Sequence, residues 1–294
     1  MKRRTFIRNA AITTGAFYSI PMSLTYGNIS ELSIQEVIDK IIKEAVGEPL
    51  SQTVDTVKTG DASQLCTGIV TTFLANTRVI EKAAELNANL IVTHEPTFYN
   101  HLDEKEWLGD DPVLKAKEEL LAKHGIVVWR FHDYWHRVRP DGVLQGIVNQ
   151  IGWSRYWNDP NNIFFTIPKT TLRQLCNELG PKFMSERASY IGNGDMEVTK
   201  VAIIAGAAGK DWQIDTLQRD DVEVLIVGEI AEWETSEYVR DASALGMKKG
   251  LIVLGHQPSE EPGMVYAAEW LGDLFPGIQV THVNSRDGFK SAKR

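Results

Sequence analysis

The sequence has little of what marks disulfide-linked, nucleic-acid-binding or membrane-spanning proteins. Its 294 residues include two cysteines, Cys66 and Cys176, too few for a disulfide framework or a cysteine-based zinc finger. We interpret them as two buried thiols, with a single bridge as the alternative. A formal net charge of -8 gives no electrostatic basis for nucleic-acid binding. The composition, 43% hydrophobic and 24% charged, is ordinary for a folded protein with a sizeable core.

The first residues differ from the rest of the chain. Residues 2–8 contain the paired Arg3-Arg4, and a mildly apolar stretch follows from Ala10 to Leu24. This pattern resembles a twin-arginine export signal over residues 1–28 and predicts a periplasmic protein. The alternative is a basic amphipathic first helix of a cytoplasmic protein. Polar residues, glycine and proline interrupt the apolar stretch, so we expect no stable membrane span after export.

Short apolar runs alternate with amphipathic stretches along the rest of the chain, which predicts an α/β fold. The apolar runs, interpreted as strands, include residues 68–74, 90–93, 126–131, 164–167, 197–205, 222–227, 251–254 and 279–283. We predict two similar α/β units with mixed sheets flanked by helices and a metal site at the C-terminal ends of strands. The metal-binding unit would comprise residues 29–130 plus 245–294, and the second unit residues 131–244.

Histidines and carboxylates follow three of these predicted strands. They are, in chain order, His94 and Glu95, the segment His132 to His136, and His256 with Glu260. The carboxyl ends of strands are where open α/β sheets bind ligands, and three such loops favour a site over isolated polar residues. Imidazole with carboxylate suits zinc, iron, manganese or cobalt, but not calcium. Five such ligands suit two ions that share a carboxylate.

The same segments resemble a known family over roughly residues 33–294, in the family's order. The resemblance rests mainly on Ala88-Asn89-Leu90-Ile91-Val92-Thr93-His94-Glu95-Pro96 and Gly255-His256-Gln257-Pro258-Ser259-Glu260. Residues 201–206 and 227–230 add to it. The family is the dinuclear-metal family named for NGG-interacting factor three, whose members are also called GTP cyclohydrolase I type 2 homologues. The resemblance implies a two-metal centre, a homohexamer, and an anionic substrate that is either a purine nucleotide or a phosphoester.

By this resemblance, His94, His256 and Glu260 match metal ligands of the family. Glu95 stands where the family usually has a second histidine, and His136 stands where it usually has an aspartate. Each departure exchanges one ligand type for another, so the set keeps three imidazoles and two carboxylates. We therefore expect two divalent ions per chain, and zinc, iron and manganese remain open as their identity.

Three further residues are candidates for roles near this centre. His101 and His132 are candidates for proton transfer, and the alternative for His101 is an exposed loop histidine. Asp133 either replaces His136 as a ligand or orients a ligand ring. The predicted function is a metal-dependent hydrolase, cyclohydrolase-like or phosphoesterase-like, acting on a small anionic substrate. The alternative is a non-catalytic metal-binding scaffold or metal-handling protein.

Overall fold

The computed structural model describes residues 31–157 and 159–290, so the predicted export signal at residues 1–28 lies outside the described residues. The helices are α1 Ile34–Val46, α2 Thr77–Glu85, α3 Pro112–Lys123, α4 Asp133–Arg137, α5 Gly142–Ile151, α6 Leu172–Lys182, α7 Lys210–Gln218, α8 Glu237–Ala244 and α9 His256–Leu274. The strands are β1 Val57–Thr59, β2 Ile69–Thr72, β3 Leu90–Thr93, β4 Val127–Arg130, β5 Phe164–Thr171, β6 Ser189–Ile191, β7 Glu197–Ile204, β8 Val224–Val227, β9 Gly250–Val253 and β10 Val280–His282.

The strands form two mixed sheets of five strands each, which confirms the predicted fold class. The first sheet has the order β1-β4-β3-β2-β10, and all its neighbours are parallel except β1, which runs antiparallel to β4. The second sheet has the order β5-β7-β8-β9-β6, with a parallel centre and an antiparallel strand at each edge. The edge strands β1 and β6 were not predicted, because they are three residues long and have no apolar run.

Burial explains why the central strands read as continuous apolar runs. Every residue of β2, β3, β4 and β8 is buried, as expected when helices cover both faces of a parallel sheet. One apolar cluster connects the two sheets through α5 and α9; its members include Val92, Trp129, Ile147, Met264, Ile203 and Ile226. Cys66 and Cys176 are buried free thiols, as interpreted from the sequence. None of the described helices is long and apolar enough to cross a membrane.

Helix α9 carries the chain from the second sheet back to the first. Strand β9, which precedes it, pairs with β8, and β10, which follows it, pairs with β2. The division into a unit of residues 29–130 plus 245–294 and a unit of 131–244 stays a prediction, and β9 lies in the second sheet. The sequence pattern predicts this helix over residues 264–271, but the helix begins at His256. Pro258 conceals this start, although proline is tolerated in the first turn of a helix.

Candidate metal centre

Two of the three predicted ligand segments leave the same edge of the first sheet side by side. Strands β3 and β4 are parallel neighbours, and their last residues, Thr93 and Arg130, are paired in register. His94 and Glu95 follow β3, and His132 follows β4 after one further residue. The parallel register therefore brings the two segments together at the carboxyl end of the sheet.

The buried carboxylate of Asp55 fixes the start of the short helix α4. It accepts hydrogen bonds from the backbone N–H groups of His132 at 2.9 Å, Asp133 at 3.1 Å and Tyr134 at 2.8 Å. Three N–H groups at a helix N-terminus otherwise have no partner within the helix. Because His132 and His136 are four residues apart, this helix presents both imidazoles on one face.

The third segment approaches from the second sheet on the first turns of α9. Its entry is possible because glycines follow the strands of that sheet. A Cβ atom at Gly206 would lie 2.0 Å from Glu260 Oε1, and one at Gly228 would lie 2.5 Å from Ser259 Oγ. The Gly206 N–H donates to Ser259 Oγ at 3.0 Å. The helix start that carries His256 and Glu260 is thus seated against bare backbone.

All four imidazoles of the cluster have a partner on Nδ1. The pairs are His94 with Phe131 O at 3.2 Å, His132 with Asp133 Oδ1 at 3.0 Å, His136 with Asp141 Oδ2 at 2.8 Å, and His256 with Glu229 Oε2 at 3.6 Å. A partner on Nδ1 fixes the orientation of a ring and leaves Nε2 as the lone-pair donor, which is the usual arrangement around a protein-bound metal. The four rings are therefore prepared as Nε2 ligands.

Two carboxylates lie between these rings. Glu260 Oε2 is 3.6 Å from His94 Nε2 and 3.0 Å from His256 Nε2. Glu95 Oε1 is 3.7 Å from His132 Nε2 and 3.8 Å from His256 Nε2. Each carboxylate thus contacts histidines from two different segments, which is the position a bridging ligand requires.

The donor atoms are close enough to share metal ions. Two overlapping groups have one donor atom per residue, all within 4.8 Å of one another: His94, His132 and His136, and His94, Glu95 and Glu260. His94 Nε2 is buried and has no hydrogen-bond partner among the described residues. A buried ring nitrogen without a partner costs free energy unless a ligand satisfies it. The donor set and this nitrogen both fit a divalent metal with imidazole and carboxylate ligands.

The carboxylates and imidazoles shift each other's protonation. Burial alone raises the pKa of Glu260, but His94 and His256 outweigh it and hold that pKa well below its usual range. Burial, and then the neighbouring Glu260, raise the pKa of Glu95. Glu260 is therefore a carboxylate at neutral pH, as a metal ligand must be.

The imidazoles shift in both directions. Burial lowers the pKa of His256, yet Glu229 and Glu260 outweigh it and raise that pKa to about 10. The hydrogen bond to Asp141 likewise outweighs burial and raises the pKa of His136 to about 9. Burial and the neighbouring histidines lower the pKa of His132 to about 3. Without metal, protons on His136 and His256 thus balance the carboxylates.

The chain matches the model of the family described as Duf34/NIF3 (NGG1p interacting factor 3) over residues 33–287. The chain belongs to this family. A GTP cyclohydrolase 1 type 2 homolog of Clostridium acetobutylicum is 24% identical over 223 residues, which cover 72% of this chain and 79% of the relative. The solved structure of a Bacillus cereus protein related to NIF3 gives a TM-score of 0.70 at 12% identity, covering 89% of this chain and 99% of that one. A hypothetical protein of Staphylococcus aureus gives 0.69 at 16% identity, covering 88% and 99%. The match to the family model confirms the predicted family, and the solved structures confirm the fold.

A cavity of about 670 Å³ opens in front of the centre of this NIF3-family chain. The wall on the side of the first sheet includes Glu95, His132 and His136, and α9 contributes His256 and Glu260. The opposite wall comes from the second sheet and from α5. The candidate ligands therefore face a volume that is large enough for a small organic molecule.

The other predicted site residues lie around this cluster. His101 is exposed and lines the cavity, with its ring centroid 6.1 Å from that of His132. Asp133 pairs with His132 and also accepts hydrogen bonds from Thr53 Oγ1 at 2.8 Å and Val54 N at 3.1 Å. That contact matches the orienting alternative predicted for Asp133. Proton transfer by His101 and His132 stays a prediction, and the distances add a candidate ligand role for His132.

Three supporting residues were missed or left undecided at the sequence level. Asp55 lies in the polar segment of residues 54–61, whose composition predicts a loop, and only the folded chain brings it to α4. The sequence predicts a helix over residues 141–152, but it does not predict that the Asp141 side chain both caps α5 and binds His136. The guanidinium of Arg130 lies buried beneath the site, where Nε donates to His94 O at 3.1 Å and Nη2 is 3.8 Å from Glu95.

Proposed function

We propose that this protein is a dinuclear-metal hydrolase that acts on a small anionic substrate. The observation that carries the proposal is the orientation of four imidazoles around two carboxylates. Three have Nδ1 within hydrogen-bonding distance of a partner, and Glu229 lies 3.6 Å from Nδ1 of His256. The buried Nε2 of His94 has no hydrogen-bond partner among the described residues and lies 3.6 Å from Glu260 Oε2. Side chains that serve only packing have no reason to leave a buried nitrogen unpaired.

The proposed ligands are those predicted from the sequence, with His132 as an additional candidate. His94, Glu95, His136, His256 and Glu260 form the predicted set. With neutral imidazoles the two carboxylates contribute a charge of about −2, so two divalent ions leave about +2. That surplus favours an anionic substrate. Glu260, which lies between the rings of His94 and His256, is the proposed bridge.

Two divalent ions at such a centre would supply Lewis-acid polarisation of the substrate and a water of lowered pKa. The chain's own residues would orient the metal ligands and enclose the substrate. Asp133, Asp141 and Glu229 hold the imidazole rings in place through Nδ1. His101 at the edge of the cavity is the proposed proton carrier, because it is exposed and close to the cluster.

Metal content tests the centre directly. We expect elemental analysis of the purified protein to give two ions per chain, and Glu260→Ala to retain one or none. The matched control is Glu237→Ala, since Glu237 is a half-exposed helix residue paired with Arg240 that belongs neither to the candidate metal groups nor to the cavity lining. One ion in both the wild type and Glu260→Ala contradicts the dinuclear centre.

Turnover tests the hydrolase. The metal-loaded protein should hydrolyse at least one compound in a panel of esters, phosphoesters and cyclic amides, and His94→Ala should lose both metal and activity. The cyclic amides are included because the Clostridium relative is named as a GTP cyclohydrolase 1 type 2 homolog. Absence of turnover while His94→Ala still loses metal contradicts the enzymatic role.

A metal-handling protein without turnover is the second candidate. The number of donors favours it, because four imidazoles and two carboxylates could fill most coordination positions of two ions. Catalytic sites keep a position open for water or substrate. The adjoining cavity supports the enzyme instead. Spectroscopy of cobalt-substituted protein separates the two, because a shift of the cobalt d–d bands on addition of inorganic phosphate indicates an open position.

Export and assembly complete the proposal. We propose that residues 1–28 direct the folded protein through the twin-arginine route to the periplasm, and that the mature protein forms a homohexamer. Changing Arg3 and Arg4 to lysine should retain the protein in the cytoplasm, as fractionation would measure. Light scattering coupled to gel filtration should give six times the mass of one chain. A mass of one or two chains contradicts the hexamer.

A further inference from the structure

We propose that the substrate has an apolar, ring-sized body and at most one acidic group beyond the group that reacts, and that a nucleoside triphosphate is not the substrate. The proposal rests on the proposed function, since it concerns the cavity in front of the metal centre. It specifies the substrate class of that centre.

Much of the cavity lining away from the candidate ligands is apolar, although Asn161 and Asn162 also belong to it. The apolar wall is formed by Val143 and Ile147 of α5, by Ile163 before β5 and by Ile203 of β7. None of these side chains donates or accepts a hydrogen bond. A polyhydroxylated ribose placed against this wall would lose hydrogen bonds to water without replacement, which costs free energy. A hydrocarbon or aromatic body would gain free energy from the same contact.

Trp212 extends the apolar wall at the mouth of the cavity. Its side chain lies on α7 and is 51% exposed, although tryptophan usually buries most of its surface. An exposed indole beside an apolar cavity offers a flat face to a ring. The wall thus continues from buried aliphatic side chains to an aromatic surface that a bound ring would cover.

The charges of the cavity disfavour a polyphosphate. Among the described residues that line it, Arg139 is the one lysine or arginine, and Glu95, Asp141 and Glu260 carry negative charge. A triphosphate has about three to four negative charges, and proteins bind it with several cations or with a row of backbone N–H groups. Two divalent ions exceed the charge of Glu95 and Glu260 by about +2, which serves the group that reacts. Arg139 is then the one further cation of the described lining for other anionic groups.

The geometry of Arg139 allows it to bind one such anionic group. Its Nη1 donates to His136 O at 2.9 Å and to Val138 O at 3.0 Å, which holds the guanidinium at the edge of the cavity. Nε and Nη2 have no protein partner among the described residues. These two nitrogens form one edge of the guanidinium and match one carboxylate or phosphoryl group.

Binding of three probes to the zinc-loaded protein tests the proposal without turnover. The probes are methylphosphonate, phenylphosphonate and magnesium-bound GTP, and isothermal titration calorimetry measures their dissociation constants. Phenylphosphonate should bind about tenfold tighter than methylphosphonate, because the ring adds buried apolar surface. It should also bind tighter than GTP.

Two pairs of variants assign the effect to the named side chains. Trp212→Ala should weaken phenylphosphonate binding about fivefold, whereas Trp233→Ala should not, because Trp233 is exposed and does not line the cavity. Arg139→Met should weaken the binding of 4-carboxyphenylphosphonate about tenfold. Arg137→Met is the control, since Arg137 is exposed on α4 outside the lining.

The outcomes separate this proposal from the proposed function. Equal affinities for the two phosphonates, or tighter binding of GTP, with zinc bound, overturn the substrate class and leave the metal centre intact. Equal losses in Trp212→Ala and Trp233→Ala overturn it as well. Failure of the protein to bind zinc overturns both.

Discussion

The two sheets have the same size and nearly the same topology, but their strands end differently. In the first sheet, β3 and β4 continue into residues with long polar side chains, His94, Glu95 and His132. In the second sheet, β7, β8 and β9 continue into glycine within two residues, at Gly206, Gly228 and Gly255. The same type of strand end is thus used in two ways. In the first sheet it presents polar side chains, and in the second sheet it carries glycines, which have none.

The difference shows how a site forms between two similar units. The first sheet supplies donors, and the second supplies space for a helix whose first turns carry the remaining donors. Gly255 has a φ of 99°, which residues with side chains rarely adopt, so glycine is favoured there as well. The comparison predicts that substitutions at the ends of both sheets damage the same centre for different reasons. In the second sheet an added side chain would collide with α9, and in the first sheet a substitution would change the charge or the orientation of the metal ligands.

Filling the glycine end of the second sheet should have the largest effect. Gly206→Ala places a Cβ 2.0 Å from Glu260 Oε1 at a residue whose φ is 67°, so α9 must move or Glu260 must turn away. We expect a loss of about 4 kcal/mol in the free energy of unfolding and at least one metal ion. Urea unfolding and elemental analysis measure the two effects.

Gly209→Ala is the matched control. Gly209 also has a positive φ, 79°, but a Cβ there would meet nothing within 4 Å. Its ψ is 158°, a combination that side chains rarely adopt. The variant should therefore cost about 1–3 kcal/mol, which is the backbone strain alone, and leave the metal content unchanged. Equal losses in the two variants would mean that the close approach of α9 does not matter.

Removing the acceptor beneath α4 should have the next largest effect. Asp55→Ala leaves three backbone N–H groups at the helix start without their acceptor. Of the cluster, His132 directly precedes that helix and His136 lies on it. We expect about 3 kcal/mol of destabilisation and weaker zinc binding, measured by urea unfolding and chelator competition. Asp61→Ala should cost about 0.5 kcal/mol, because Asp61 is exposed and accepts from one turn residue.

Changing the partner of one imidazole should have a smaller and more selective effect. Asp141→Asn keeps the cap on α5, since asparagine caps as well as aspartate, but removes the charge paired with His136 Nδ1. We expect zinc affinity to fall about tenfold with little change in the unfolding temperature. Asp111→Asn, the same change at the cap of α3 away from the site, should leave zinc affinity unchanged. Unchanged zinc affinity in Asp141→Asn would contradict the orienting role of Asp141.

The smallest effect should come from Glu229→Gln. The Glu229 side chain is 54% exposed, so solvent screens its charge and the change in stability should stay below about 1 kcal/mol. The effect of this substitution should instead be seen in how the stability of the metal-free protein depends on pH. The raised pKa of His256 adds stability that is fully present below the unfolded value of about 6.5 and is lost as pH rises through about 10.

The variant should lose stability less steeply as the pH rises, because the pKa of His256 then lies closer to its unfolded value. Urea unfolding at about pH 6.5 and about pH 9 measures the difference. A steeper decline in Glu229→Gln than in the wild type contradicts the assigned contact. The zinc-loaded proteins should show a weaker dependence, because a ligated imidazole carries no proton to lose.

The strength of each local sequence pattern decided which elements and site residues could be predicted from the sequence. The strands at residues 90–93 and 251–254 were predicted because continuous apolar runs are typical of buried parallel strands. The site segments were predicted because polar residues follow those runs directly. Asp55 could not be placed, since nothing in a polar loop indicates which distant helix it caps. The start of α9 at His256 was missed because Pro258 argued against a helix.

The sequence by itself determined the α/β fold, the family and the three segments that carry the candidate ligands, because apolar periodicity and short motifs are local properties of the chain. Tertiary structure alone decided which nitrogen of each ring is available, that Glu95 and Glu260 lie between the histidines, and that glycines of the second sheet admit α9. These properties depend on distances between residues far apart in the chain, and only packing of the two sheets around α5 and α9 sets those distances.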